Sequence, residues 1–598
     1  MICSSNMTFR RDLTQLRPLA AAVLLLLAAC ADIAPDLMPI ESAKSSLEAG
    51  DGLAAEVALR DMIAGGVPRS DVAAYLGEAE LLQGELVEAR QWLESGKFSD
   101  DTRGHGFHML ARLEMREGNL PAAGTAFDKS LAVDRENAEL WVDIGRLRYR
   151  GGEQTQAVEA SMYAVELDPQ NGAALQFRAQ LLRDSEGMAA AIPWFERALE
   201  RSPEDIGLLA DYAATLGELG RARDMLVTVR KIARIDPANR RIFYLQAVLA
   251  ARAGKFKLAQ SLLARSSKAD RDMPAAMLLA GIIDIENGNY ASAAQVLERL
   301  ATAQPDNRSV RQLLARALSL GGNDRELVYR YGEIASRPSA SPYLRTLVGR
   351  AHEALDQRDQ AAPYLDAAAK RRSGNLVAVQ SGTTLDVAEA RGPTTGFDAL
   401  ALVRARIFNG NPDAARGAAA GFLKRFPGSS DALSLAGDAS LAARQFDEAL
   451  DHYGKAAAIR GPWVLTRKRV KTLQALGRDN DALAVLAGHL VGDPGNAEAA
   501  GLLAVAAASR GDWPNAAIFT DHALANGRVR DPLMLSLRSE IALRLGEVDL
   551  GVEMAERAYT IQPMSEDATR ALAIAYRQLD DGEPLAAVLE TKLRQMPD

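Results

Sequence analysis

The chain has 598 residues, 48% of them hydrophobic and 25% charged, which is a globular profile with ample length for a buried core. Its net charge of -8 argues against a nucleic-acid partner, which calls for a basic footprint. Two cysteines and six histidines exclude a disulfide framework and a four-thiolate zinc site, and with 5% aromatics the interior must be built mainly from Ala and Leu, as in closely packed helices.

In chain order, residues 1–29 come first and read as a targeting segment. Arg10, Arg11 and Arg17 form a basic flank, followed by an apolar run from Leu19 to Ala29. That run is well short of the roughly twenty residues a permanent bilayer-spanning helix needs. It ends in Leu27-Ala28-Ala29-Cys30, which resembles the bacterial lipobox. The resemblance implies cleavage before Cys30, a diacylglycerol on its sulfur, a further acyl chain on its amine, and a tether over 30–35. Two or three acyl chains anchor stably where one is marginal. Loss of Arg10, Arg11, Arg17 and Asp12 takes the net charge from -8 to -10, and loss of Cys3 leaves Cys30 as the only cysteine. In enteric lipoproteins Asp directly after the cysteine retains the protein in the inner membrane. Here that position is Ala31, with Asp32 one later, so the resemblance implies an outer-membrane lipoprotein facing the periplasm.

The remainder repeats with a period of 34. Stepping by that period from Gly145 reaches Ala43, Gly77, Ala111, Ala179, Ala213, Ala247, Gly281, Ala315 and Gly349, all of them small. A second column holds Gly50, Gly84, Gly118, Gly152, Gly220, Gly254, Gly288 and Gly322; Glu186 interrupts it beside Gly187, and Asp356 ends it. A third runs Ala55, Ala89, Ala123, Ala157, Ala191, Met225, Ala259, Ala293, Leu327 and Ala361. Ten units thus run from Asp36 to Asn375. Residues 376–395, with Ser-Gly and Gly-Pro breakers, read as a connector. The pattern resumes at Gly396, and later units begin near Ser430, Trp463, Ala497, Pro532 and Glu566, giving about sixteen repeats in two arrays, 36–375 and 396–598.

These columns resemble the tetratricopeptide repeat. In the unit starting at Ala138, the family's large, small, Gly, Ala, Ala and Pro landmarks fall on Trp141, Gly145, Gly152, Ala157, Ala164 and Pro169; Arg148 replaces a usual aromatic. The physics behind the columns is direct. Small residues let the two helices of a hairpin approach closely, Gly supplies the left-handed conformation that ends helix A, and Pro stops helix B. The expected fold is an all-α solenoid in which each hairpin buries its apolar face against its neighbours. The family's arrays form a right-handed superhelix with a concave face lined by helix A.

Chemistry has little room. The repeats leave no stretch of the roughly 50–250 residues a catalytic domain takes, and neither GxxxxGK[ST] nor HExxH occurs. Gly96-Lys97 and Gly254-Lys255 sit at helix turns. His105 and His108 lie on one helix face without a third ligand, and read as surface residues. His452, His489 and His522 share a repeat phase that suggests packing or surface roles. We therefore expect no enzyme, no metal and no cofactor.

Binding is what remains. By resemblance to the family, positions 2, 5, 9 and 12 of each helix A face the groove. Position 9 supplies two adjacent basic pairs, Arg112 with Arg146 and Arg316 with Arg350. Between them Tyr244 and Leu278 at position 5 join Val248 and Ile282 at position 9 in a more apolar stretch. A partner segment with an apolar centre and acidic flanks would complement these residues. The Asn that the family's carboxylate clamps use at position 9 is absent from every unit. The architecture is similar to tetratricopeptide lipoproteins of exopolysaccharide export and surface protein sorting, which implies a scaffold for envelope proteins. Assembly of pili, secretion machinery or outer-membrane proteins is the alternative. Direct glycan binding is a further one. Sugar sites usually stack rings on Trp and Tyr. Of the five tryptophans, Trp92, Trp141, Trp194, Trp463 and Trp513, Trp141 is at the family's packing position and Trp92 and Trp194 lie in helices B, so nothing in the sequence supports it.

Overall fold

The computed structural model describes residues 39–305, 307–337, 340–369 and 383–596. The expected signal segment and tether, Cys30 among them, and residues 376–382 of the expected connector lie outside the described residues. Among the described residues there are 34 α-helices and no strands. Most follow the 34-residue period as helix pairs, each helix A packed on its own helix B, and within residues 39–135, 136–369 and 396–596 each helix B packs on the next helix A. Residues 1–135 and 136–598 form two compact units. The first holds the pairs Pro39–Glu48 with Gly52–Ala64, Arg69–Gln83 with Leu86–Leu93, and Arg103–Glu117 with Leu120–Leu131. The second begins with Ala138–Gly151 and Gln154–Leu167 and continues to Glu566–Tyr576 and Glu583–Gln595.

The sequence columns have the expected steric origins. A Cβ on Gly145 would lie 2.6 Å from Phe177 Cε1, and one on Gly281 would lie 2.6 Å from Leu297 Cγ. The third column is equally tight, with Ala157, Ala191, Ala259 and Ala293 fully buried. The second column ends helix A in the left-handed region; at Gly152, φ is +86° and its N–H reaches the carbonyls of Arg148 and Tyr149. The caps opposite are equally regular, as Asn137, Asn171, Asp205 and Asn496 each accept a backbone N–H from the first turn of their helix A.

Where the glycine column fails, the backbone does not. Asp356 and Arg444 occupy the same turn position and take φ of +59° and +61°. A side chain in this region costs about 1–2 kcal/mol, partly offset by the entropy glycine loses on folding. Asp356→Gly and Arg444→Gly should therefore each stabilise the chain by about 0.5–1 kcal/mol, read as a raised urea midpoint at unchanged slope. A loss of stability in both would show that the side chains matter more than the turn.

The part of the connector that is described contains a short helix, Leu385–Arg391. Its Ala388 is buried against Leu402 and Ala405 of the following helix, Gly396–Phe408. That helix opens with a capping box in which Thr395 and Asp398 satisfy each other's backbone N–H. This stretch is thus packed onto the second array.

Candidate functional site

The polar residues on successive helices A pair with one another. Gln180 and Gln176 both donate to Asp211 (2.7 and 3.2 Å), Tyr149 donates to Asp184 (2.7 Å), and Arg316 pairs with Glu286 at 3.2 Å. The spacing of these pairs is one period give or take one helical turn, so each joins one helix A to the next. Charged groups in the helix-A columns are therefore largely spent on neighbouring repeats.

The predicted basic residues are engaged too, Arg316 across repeats and the others mainly within their own helix. Arg146 meets Asp143 at 3.0 Å and lies over the Phe177 ring, and Arg350 meets Glu353 at 2.5 Å. Arg112 rests 3.9 Å from Met109 Sδ and lends its charge to Glu78. Of these, Arg350 is exposed, while Arg112, Arg146 and Arg316 are half-buried. Tyr244, Val248, Leu278 and Ile282 are all half-buried. Tyr244 packs on the cluster of Ala247, Ala276 and Ile283 that joins two repeats, and burial pushes its phenol pKa up. Leu278 packs on the next cluster, around Leu297 and Leu314. The position-5 residues Val142 and Ala210 are buried at 0% and 3% exposure, so that column serves packing in those repeats.

Exposed apolar residues in the helix-A columns occur mainly in the second array, which the sequence reading did not single out. Val464 and Leu533 at position 2 are 57% and 54% exposed; Val505 and Ile574 at position 9 are 47% and 49% exposed. The signal was present in the same column arithmetic, at Val505 and Ile574, but burial by neighbouring repeats cannot be read from one residue's identity.

Two polar networks stand beside these residues. In the first, Asp438 accepts from the Tyr453 hydroxyl at 2.7 Å and from Lys468 Nζ at 2.7 Å. Asp438 is 8% exposed and Tyr453 is fully buried, its ring seated where a Cβ on Gly437 would stand. Burial, reinforced by Asp438, pushes the Tyr453 phenol far up, so it remains a protonated donor. In the second, Glu498 accepts from Trp463 Nε1 at 2.7 Å and from Arg467 at 3.1 Å. His489 completes this network, with Nδ1 3.1 Å from Thr466 Oγ1 and its ring centroid 5.1 Å from that of Trp463. Burial pushes Glu498 up, but the Trp463 and Arg467 hydrogen bonds outweigh it and hold the carboxyl below its ordinary value.

The sign of the pH effect follows. A carboxyl depressed in the folded state contributes stability above its unfolded pKa, and that contribution is lost as pH falls through the folded value. We expect the Glu498-dependent change in Trp463 emission, isolated by difference against Trp463→Phe and apart from the change that His489 brings, to come only below the ordinary Glu range. Glu498→Gln should remove the transition. A transition that Glu498→Gln removes and that lies at or above the ordinary Glu range would contradict the geometry.

His105, His108 and His522 are engaged within the fold. His108, expected at the surface, is 3% exposed and lies 6.0 Å from the Phe127 ring, because its helix turns that face toward helix B. His105 sits 2.8 Å from Glu78, and His522 Nε2 lies 2.5 Å from the Pro494 carbonyl oxygen. His452 lines a cleft of about 600 Å³ between the helices Pro412–Arg425 and Phe446–Ile459, with Arg416, Lys424 and Glu448. Arg416 and Glu448 pair there at 2.8 Å. Among the described residues no group of three His, Cys, Asp or Glu side chains converges to hold a metal, and no helix is long and apolar enough to cross a membrane. The indole faces of Trp92, Trp194 and Trp513 are approached by Arg69, Arg197 and Arg544 at 4.6, 4.9 and 5.4 Å. Trp141 packs edge-on against Tyr163.

Three stretches match models of the tetratricopeptide repeat: residues 108–171 and 400–462 with one, and 250–317 with another. The chain carries tetratricopeptide repeats, and its fold is the helical solenoid they build. No curated protein matches it. Among solved structures it is similar to PilW, a widely conserved type IV pilus biogenesis factor, at 17% identity over 35% of this chain and 98% of that one, with a TM-score of 0.31. It is also similar to a tetratricopeptide repeat protein from Parabacteroides merdae, at 16% identity over 46% of this chain and 99% of that one (TM-score 0.29). A third similarity is to the APC/C hetero-tetramer Cut9–Hcn1, at 14% identity over 89% of this chain and 95% of that one (TM-score 0.30). At these values the neighbours carry no partner or activity over to this chain.

Proposed function

We propose that this chain is a non-catalytic scaffold, lipid-anchored at Cys30 on the periplasmic face of the outer membrane, which holds envelope proteins along the helix-A faces of its repeats. The observation that carries the reading is the division of labour in those columns. Polar groups pair from repeat to repeat and rigidify the face, while Val464, Val505, Leu533 and Ile574 remain exposed for a partner. Such apolar side chains within a polar frame favour a protein segment. A glycan would ask for free aromatic faces, and three of the five tryptophans already carry an arginine. Exopolysaccharide biosynthesis or export is the process this arrangement serves in our reading, with assembly of pili, secretion machinery or outer-membrane proteins as the alternative.

The test has two arms. Cys30→Ser should move the chain from the membrane fraction to the soluble fraction. Val464→Glu with Val505→Glu should abolish co-purification of the partner while leaving the helical circular dichroism and its melt unchanged. A membrane-bound Cys30→Ser chain overturns the anchor, and undiminished partner recovery by the double variant overturns the binding face.

A further inference from the structure

Within residues 136–598, two turns that close helix pairs early in the chain touch three loops that join repeats much later. The backbone N–H of Thr155 donates to Gly428 O at 3.2 Å, and that of Ser430 donates to the Gln154 side-chain carbonyl at 2.8 Å. The N–H of Gly461 donates to Asp184 O at 2.8 Å. Thr155 and Ser430 sit in the first turns of their helices, where an amide has no partner within the helix, so the contact satisfies donors that the fold leaves open. Tyr149 holds Asp184 in place through its 2.7 Å hydrogen bond.

Glycines make the approach close. A Cβ on Gly461 would lie 2.8 Å from Ser185 O, one on Gly492 would lie 2.6 Å from Glu186 O, and one on Gly187 would collide with Gly492 itself. Gly187 has φ +101° and ψ 177°, a region essentially reserved for glycine. It belongs to the one turn where the glycine column is displaced by a residue, at Glu186. The irregularity in the repeat thus coincides with the contact.

We propose that this seam is a clasp, closed in the free chain and opening as one unit. Its construction fits a contact that opens. Its hydrogen bonds are polar contacts between turns and loops, two of them backbone to backbone and others through the Gln154 and Thr155 side chains, while the apolar side chains on either side belong to their own repeats, Phe177 and Ala164 on one and Leu433 and Ile459 on the other. Gln156 Oε1 is buried there without a hydrogen-bond partner, against Gly428. Such an orphan acceptor weakens the closed state, and tethering through the chain supplies the effective concentration that keeps it closed.

The test is hydrogen exchange and small-angle scattering on the full chain. In the native chain the amides of Thr155, Ser430 and Gly461 should exchange with one common protection, below that of mid-helix amides. The Gly461→Ala, Gly492→Ala double variant should reduce all three protections roughly tenfold or more and enlarge the radius of gyration. Gly454→Ala with Gly488→Ala, in the helices that lead to Gly461 and Gly492 and with no atom within 4 Å of the added Cβ, should change neither. Three unrelated protections in the native chain overturn the clasp as a unit. Unchanged scattering and exchange in the seam variant overturn it as a closure, whatever becomes of partner binding.

Discussion

Asp438→Leu should destabilise the second array by about 3–5 kcal/mol, the cost of removing one member of a buried charge pair. The substitution leaves the Lys468 ammonium, three-quarters buried, without its carboxylate, and the fully buried Tyr453 hydroxyl without an acceptor. Asp438→Leu with Lys468→Met should recover a substantial part of the loss, since the uncompensated charge then disappears. Tyr453→Phe should cost only about 1–2 kcal/mol, because Asp438 keeps its lysine. Urea denaturation followed by circular dichroism measures all four chains. Near-neutrality of Asp438→Leu would mean that the pair is not formed.

Phe195→Ala should cost a similar amount, about 3–5 kcal/mol, by a different route. The ring is fully buried between Leu175 and Ala179 of its own helix A, Ala191 and Ala198 of its own helix B, and Leu208 of the next helix A. It therefore spans a repeat boundary, and its removal leaves a cavity where two units meet. Because a solenoid is stabilised by nearest-neighbour interfaces, the loss should weaken exchange protection in residues 172–218 first. Uniform weakening along the chain would indicate a cooperativity that reaches beyond nearest neighbours.

Much of the fold was legible because it is local and periodic. The turn glycines predicted a left-handed end to helix A, and at Gly84, Gly118 and Gly152 the backbone has that conformation. Asp356 and Arg444 show the limit of the rule, since packing on both sides forces the same φ on residues that resist it. His108 was misplaced to the surface because a histidine on an amphipathic face gives no sign of which side it takes. The basic residues of position 9 were found in the right column, but their engagement by Asp143, Glu286 and Glu353 depends on side-chain reach that spacing alone does not fix. The seam was the least legible, because Gln154 and Ser430 are 276 residues apart and no short-range pattern links them. Its trace was the misplaced glycine at 187.

The most direct test of the binding face is in-cell photo-crosslinking from positions 244, 282, 350 and 505, with position 329 as control. Tyr329 is 86% exposed and lies on a helix B. The expected result is capture of envelope proteins from the helix-A positions and none from 329, with polysaccharide synthase or export components distinguishing that pathway from the assembly of pili or secretion machinery. Capture from 329 with silence at the helix-A positions would contradict the assignment of partner binding to the helix-A faces.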